Sequence, residues 1–407
     1  MKRRLGASGL VLAGMLGLAQ FAHAAEVKLG TLMALTGDLA SYGTVIQRAS
    51  DLAAEQINLQ GGLLSGSTLS IVHRDAATDP KVGVDAAQKL VSIDHVSGIV
   101  GALSSGVTLA VASSVAVPNH VLLISPASTS PTLTDLKDDG YVYRTVPSDA
   151  FQSVVLAQVA AEQGFKKLAV LYVNNAYGDG LAKAFAAAFA KQGGQVTGSA
   201  AFEEKQPTYQ ADLDKLAKGN PDGLVLISYP ESGITILKDA LEGGSFSKFL
   251  FSDGMKSDDI IAAIGAQYLN GTYGTAAKAV PNPSTSSFED AYKQRFGELP
   301  PKPYMNEAYD ATFVLAMAIE KAGTASDSAA IRDAIPAVTD PNGELIRAGE
   351  WSKARRLIDQ GKHIHYVGAA GPIVFDQNGD MAAGSIGVWQ IADGKIVDPV
   401  KIVQVGG

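Results

Sequence analysis

The sequence predicts an α/β protein built as two doubly wound, parallel-sheet lobes. Three observations carry that expectation. Short apolar runs alternate with amphipathic helical runs, the signature of a parallel sheet with helices on both faces. The alternation runs once, then starts afresh after the segment from Arg144 to Asp149. The chain has 407 residues, of which 46% are hydrophobic and 18% charged, enough for two or three cores and too apolar to stay disordered.

The first series opens with an apolar run at 27–34, read as a strand. A helix follows over 43–60, with Ile46, Ala49, Leu52, Ala53 and Ile57 on one face, stopped by Gly61 and Gly62. Strand 68–73 and helix 80–93 come next. Strand 98–103, helix 107–117 and strand 121–125 complete the series. The second series comprises helix 151–163, strand 167–173, helix 179–192, strand 195–202 and helix 209–218. Strand 223–228, helix 232–242 and strand 248–251 end it. The Pro/Ser-rich stretch 281–287 reads as a crossing segment. Helices are expected at 306–321 and, strongly charged, at 350–360. In the tail, Val388 to Ile391 and Lys395 to Val397 read as a β-hairpin around Asp393 and Gly394.

The N-terminus reads as a targeting segment. Lys2, Arg3 and Arg4 form a basic start, residues 5–21 are apolar and small, and Ala22-His23-Ala24 fits a cleavage site. Cleavage is expected near Ala24, leaving an exported, soluble protein. The interrupted apolar run argues against a membrane anchor. Loss of three basic residues takes the formal net charge from −8 to −11. An acidic surface disfavours nucleic acid and anionic lipid as partners. With no cysteine and only six histidines, disulfides are excluded and no cofactor or metal is expected.

In open α/β sheets ligands sit at the carboxyl ends of the strands, so the polar residues there are the candidates. In the first series these include Tyr42, Ser104, Ser105, and Ser125 to Thr129. In the second they include Asn174 to Gly178 with Tyr177, Ser228, Tyr229, Ser252 and Asp253. Ser105 stands where a helix begins, and free N–H groups there favour an anion. Thr129 can add a hydroxyl. The alternative for Ser105 is a simple helix cap. Asp253 in an apolar cleft needs a cation, which a ligand ammonium supplies; its alternative is a turn residue in Ser-Asp-Gly. Tyr42, Tyr177 and Tyr229 can line the cleft or merely pack beside loops. Anion site on one lobe and acid on the other fit a zwitterion such as an amino acid.

Catalytic motifs fit less well. There is no Gly-x-Ser-x-Gly elbow, phosphate loop or dinucleotide fingerprint. His363 and His365 have a spacing that a metal can use but that a polar loop or strand shares. Asp376, Asn378 and Asp380 start like a calcium loop, yet position six is Met381 instead of glycine.

At these residues the chain resembles the type I periplasmic solute-binding proteins of ABC transporters, in the leucine/isoleucine/valine-binding branch. The resemblance rests on segments 35–43, 75–81, 101–105, 125–129, 144–149, 177–181 and 253–254, in that order. It implies two lobes joined by three crossing strands. The first lobe would take 25–146 and 278–366, the second 147–277 and 367–407, after a leader at 1–24. It implies a monomer that closes on a small ligand and delivers it to a membrane permease. In similar proteins the residues matching Ser105 and Thr129 hold the ligand carboxylate, with the backbone at Ala127. An acid matching Asp253 holds the ammonium, and tyrosines matching Tyr42, Tyr177 and Tyr229 line the cleft. Other members of the branch take amides, urea, γ-aminobutyrate or aromatic acids. A sensor ectodomain and an exported serine hydrolase using Ser105 are the remaining classes. Relatives carry a disulfide where this chain has Thr78 and Ser104. The stretch 340–366 is longer than usual, with no role that the sequence assigns.

Overall fold

In the first half of the chain, strands form where β-branched and apolar residues run together. The computed structural model describes residues 26–406, so the expected leader and its cleavage near Ala24 lie outside the described residues. β1 (Glu26–Met33), α1 (Ala40–Leu59), β2 (Thr68–Asp75), α2 (Pro80–Ser92), β3 (Ile99–Gly101), α3 (Ser105–Val111), β4 (Leu123–Ser125) and β5 (Val142–Arg144) follow in order. Helix α3 runs on into one π-turn at Ala112–Ala116. The five strands are all parallel, in the order β2-β1-β3-β4-β5. Their inner members are buried on both faces, which explains why they read as unbroken apolar runs.

The second series is α4 (Asp149–Glu162), β6 (Lys167–Val173), α5 (Ala176–Lys191), β7 (Gln195–Phe202), α6 (Gln210–Ala217), β8 (Gly223–Ile227), α7 (Pro230–Glu242) and β9 (Phe249–Phe251). Two of its helices, α4 and α5, begin on side chains that accept orphan N–H groups. Ser148 accepts from Ala150 N–H, and Asn175 accepts from Tyr177 and Gly178 N–H. α8 (Asp258–Ile264) and α9 (Ala266–Leu269) lead into β10 (Tyr273–Ala277), a strand the sequence reading passed over because its small residues Gly274, Thr275, Ala276 and Ala277 give little apolar signal.

The stretch 281–287 corrects the sequence reading. It is not all crossing segment: α10 (Pro283–Phe296) starts inside it. Asn282 caps that helix by accepting from Ser284 and Thr285 N–H, and Pro283 occupies the first turn, where it has no N–H to lose. α11 (Met305–Ala322), α12 (Ser328–Val338), β11 (Glu344–Arg347), α13 (Trp351–Asp359), β12 (Ile364–Gly368) and β13 (Gly371–Pro372) follow. The three short strands form their own sheet, order β11-β12-β13. The tail forms β14 (Ala383–Ala392) and β15 (Lys395–Gly406), an antiparallel hairpin whose two-residue turn has positive φ at Asp393 and Gly394. That hairpin extends the second sheet, order β15-β14-β10-β9-β8-β6-β7. The chain passes from the first large sheet to the second after β5, leaves the second after β10 for α10, α11 and α13, which pack on α1, and returns to it at β14.

The charged stretch 340–366 has a structural role. Trp351 is fully buried, and its Nε1–H donates to the Gly62 carbonyl at 2.9 Å. Arg355 donates to the Gly61 carbonyl at 2.9 Å, and Gln60 Nε2 donates to that of Gly349 at 2.7 Å. The first two satisfy carbonyls just beyond the end of α1, and the third ties that end to the loop ahead of α13. Only the outer face of α13 is the solvated helix its charges suggest. Trp351→Ala is expected to destabilise the protein by about 3–5 kcal/mol. Thermal denaturation checks this, and an unchanged midpoint would show that α13 does not clamp α1.

Two sequence motifs also find structural uses. His363 Nδ1 lies 2.7 Å from an Asp340 oxygen, and no cluster suited to a metal occurs among the described residues. Asp376 accepts from the N–H groups of Asn378 and Asp380, closing a turn that sends Asp380 into an ion pair with Arg144.

Candidate functional site

The strand ends of the first sheet carry hydroxyls that are held by each other and by the backbone. Ser125 Oγ donates to the Ala102 carbonyl at 2.7 Å and accepts from Ser128 N–H at 2.9 Å. Thr108 and Ser128 hydroxyls meet at 2.7 Å. Beneath them Arg144 is 1% exposed. Its guanidinium grips Asp380 through Nε at 2.6 Å and Nη2 at 2.7 Å, and donates through Nη1 to the Ser130 carbonyl at 2.8 Å and the Ser128 carbonyl at 3.3 Å. The loop 125–130 is therefore pinned on both sides of Thr129.

Ser105 is not a helix cap. Neither it nor Ser104 makes a side-chain bond to the first turn of α3. Ser105 Oγ accepts from Ser130 N–H at 3.2 Å and faces the cleft, where the first-turn N–H groups lack intrahelical acceptors. Ser104 meets the Tyr229 hydroxyl at 3.2 Å, and Thr78 Oγ1 accepts from Leu39 N–H at 3.1 Å.

Across the cleft Asp253 is 3% exposed. Its Oδ1 accepts from Gln152 Nε2 at 2.6 Å and from the Tyr177 hydroxyl at 2.8 Å; its Oδ2 accepts from the Tyr304 hydroxyl. A carboxylate has about four lone-pair sites, so three donors leave one on Oδ2 unclaimed. Burial raises the Asp253 pKa above the usual carboxylate range, and the bonds from Tyr304, Gln152 and Tyr177 oppose that rise. Tyr177 and Tyr229 stack with centroids 5.5 Å apart. Gly254 lets this wall close: a Cβ there would stand 2.3 Å from the Ser228 carbonyl oxygen.

The two sides meet around one cavity. Tyr42, Ser105, Ala127, Tyr177, Tyr229 and Asp253 all line it, six of the seven residues expected from the sequence. Thr129 does not; its side chain is buried, next to Asp149. Leu39, Leu103, Gly254 and Tyr304 complete the wall, and Asp253 is its one charged side chain. The cavity is tight, with a volume of about 10 Å³. Tyr42 reaches across it to donate to the Gly254 carbonyl at 3.0 Å, and Ser130 Oγ donates to that of Ala176 at 2.8 Å. Inspection of strand ends missed Tyr304, which precedes α11, and Gln152, which lies inside α4. The cluster Pro300, Pro301 and Pro303 marks the chain's entry to α11, and that punctuation was a usable signal for Tyr304.

Glu307, one turn beyond Tyr304, is 4% exposed, and burial pushes its pKa up to about 7 against the pull of Lys256 and Lys278. Burial likewise pushes Asp310 up to about 7. Each folded-state value exceeds the unfolded one, so the folded protein holds protons that the unfolded chain has released. Stability therefore falls as pH rises from about 4.5 through 7. Glu307→Gln is expected to lessen that slope in melts from pH 5 to pH 8. An identical slope would mean that Glu307 is not protonated in the folded state.

Two α/β sheets with a cavity at their facing strand ends, lined by tyrosines and apolar side chains around one serine and one buried carboxyl, define a two-lobed ligand-binding fold. The comparisons agree: the chain belongs to the periplasmic binding protein family, whose profile matches residues 26–395. It is 30% identical over 392 residues to "Leu/Ile/Val-binding protein homolog 3" of Brucella melitensis, covering 96% of this chain and 98% of that one. It is similar to the crystal structure of a leucine-binding protein from Thermotoga maritima, with a TM-score of 0.78 and 25% identity over 93% of this chain and 98% of that chain. A Rhodopseudomonas palustris solute-binding protein solved with benzoate shares the fold at a TM-score of 0.75 and 17% identity, covering 94% of this chain and 98% of that chain. The fold alone thus does not choose the ligand.

Proposed function

We propose that the protein is the exported solute-binding component of an ABC importer, capturing a small, aliphatic amino acid between its lobes and passing it to a membrane permease. The observation that carries this reading is the cavity itself. Its one charged side chain is a buried carboxylate with a lone pair to spare, and a serine hydroxyl that accepts from Ser130 N–H and keeps its own proton to donate stands on its other wall. An ammonium completes Asp253, and a carboxylate suits Ser105, the α3 amides and the backbone at Ala127. Leu39, Leu103 and the rings of Tyr42, Tyr177 and Tyr229 supply an apolar side-chain pocket. The names of the similar proteins support the ligand class.

On this reading the lobes comprise 25–146 with 278–366, and 147–277 with 367–407. The shared sheet of β6–β10 and β14–β15 supports that division, as does the packing of α11 on α1. The ligand acts by bridging them. Moving a lobe equilibrium from mostly open to mostly closed takes roughly 5.5 kcal/mol of differential binding. A micromolar ligand supplies about 8.2 kcal/mol in all. The protein works as a monomer in the periplasm, and Ser105 holds ligand without attacking it: its recorded partner is Ser130 N–H, not a base.

A thermal-shift screen of refolded, ligand-stripped mature protein tests the proposal. Leucine, isoleucine or valine is expected to raise the melting temperature. A shift with amides, urea, γ-aminobutyrate or aromatic acids alone would keep the transport role and overturn the ligand class. Labelling of Ser105 by a fluorophosphonate would overturn the non-catalytic reading.

A further inference from the structure

Two ties outside the ligand cavity also cross from one lobe to the other. Lys302, ahead of α11, donates to an Asp259 oxygen in α8 at 2.9 Å and to the Ser41 carbonyl in α1 at 2.9 Å. That tie pairs an acid with a cation. The other does not. Asp38, in the loop after β1, is 2% exposed, and its carboxylate accepts from the Ser232 hydroxyl in the first turn of α7. Ser232 Oγ in turn accepts from Lys205 N–H at 3.3 Å.

A second acid stands beside that bond. Glu204, adjoining Lys205 in the turn after β7, is half-buried. Burial first and Asp38 second push its pKa up to about 7; Lys205 opposes, and Asp79 and Glu203 add to the rise. Tyr229 faces it too, and burial keeps that phenol well above its ordinary range, so it is neutral. Among the described residues no lysine or arginine forms an ion pair with Asp38 or Glu204. The two acids come from opposite lobes, so closure brings them together. Like charges pressed together away from water disfavour the doubly ionised state.

We propose that Asp38, Ser232 and Glu204 form a proton-gated latch between the lobes: positioning residues that act on closure instead of on the ligand, and that take up a proton when the cleft shuts. The inference rests on the reading of a protein that closes over an amino acid. In the open form Glu204 leaves Asp38 for water and returns toward the ordinary glutamate range. Its proton affinity is then higher in the closed form, so protons favour closure by linkage. Ligand affinity is highest near pH 5 and falls as pH rises through about 7. In that window each ligand captured carries a proton onto the latch.

Calorimetric titration of L-leucine into wild type, Glu204→Gln and Asp38→Asn tests this, at pH 5.5 and pH 8, in two buffers of different ionisation enthalpy. Wild type is expected to take up about one proton per ligand at pH 5.5 and to bind roughly tenfold or more weakly at pH 8. Glu204→Gln cannot ionise, and is expected to bind equally at both pH values without proton uptake. Asp38→Asn is expected to lessen the uptake. Equal affinity of wild type at the two pH values, or uptake that persists in Glu204→Gln, would overturn the latch. A variant weakened by the same factor at both pH values, with its uptake unchanged, would make the residue merely structural and overturn it too. Absence of leucine binding by wild type would overturn the amino-acid reading, and small-angle scattering of the ligand-free protein then decides the latch. Wild type is expected to be more compact at pH 5.5 than at pH 8 and Glu204→Gln to be alike at both; the same pH response in the two proteins would overturn it.

Discussion

Replacing Asp253 with alanine is expected to abolish detectable capture of amino acids while leaving a folded protein. The carboxylate is buried and already organised by Gln152, Tyr177 and Tyr304, so it meets an ammonium without rearrangement. Removing one partner of a buried charge pair costs about 3–5 kcal/mol. That corresponds to a loss of roughly 10²- to 4 × 10³-fold in affinity. Calorimetry with L-leucine measures it directly. Retained affinity would mean that the ligand's positive group lies elsewhere or that the ligand has none.

Arg144→Ala is expected to cost as much stability as Trp351→Ala and to act on the site as well. The guanidinium is buried, holds Asp380 through two bonds, and grips the loop carbonyls of Ser128 and Ser130. Its loss strands Asp380 as a shielded, unpaired charge, at about 3–5 kcal/mol. The loop that carries Ala127 and Thr129 also loses its anchor, so affinity should fall along with the melting temperature. Arg144→Lys should restore little, because an ammonium cannot supply the planar, two-pronged grip. A lysine variant as stable as wild type would contradict the account of that loop.

The fold was legible where the chain's local signals agree with its tertiary packing. Strands β6 and β7 were read to their terminal residues, 167–173 and 195–202, because apolar runs end there at turns. β5 and β10 escaped, one for its shortness and the other for its small residues, since a strand buried between neighbours needs no alternation. The start of α10 was misread because Pro and Ser signal a loop and a helix start equally well; Asn282 decides it by capping. In the site, residues at strand ends were legible because fold geometry gathers them. Gln152 and Tyr304 were not. They lie within or at the start of helices, and only the packing of α4 and α11 against the cleft brings them to Asp253.

The most direct measurement is a calorimetric comparison of L-leucine with its two halves, 4-methylpentanoate and 3-methylbutan-1-amine. A site that holds a zwitterion at both ends binds leucine and loses roughly 10- to 100-fold or more with either half, since each lost charged hydrogen-bonding group is worth about 1.5–3 kcal/mol. If 4-methylpentanoate binds as tightly as leucine, Asp253 does not receive an ammonium, and the central claim is wrong.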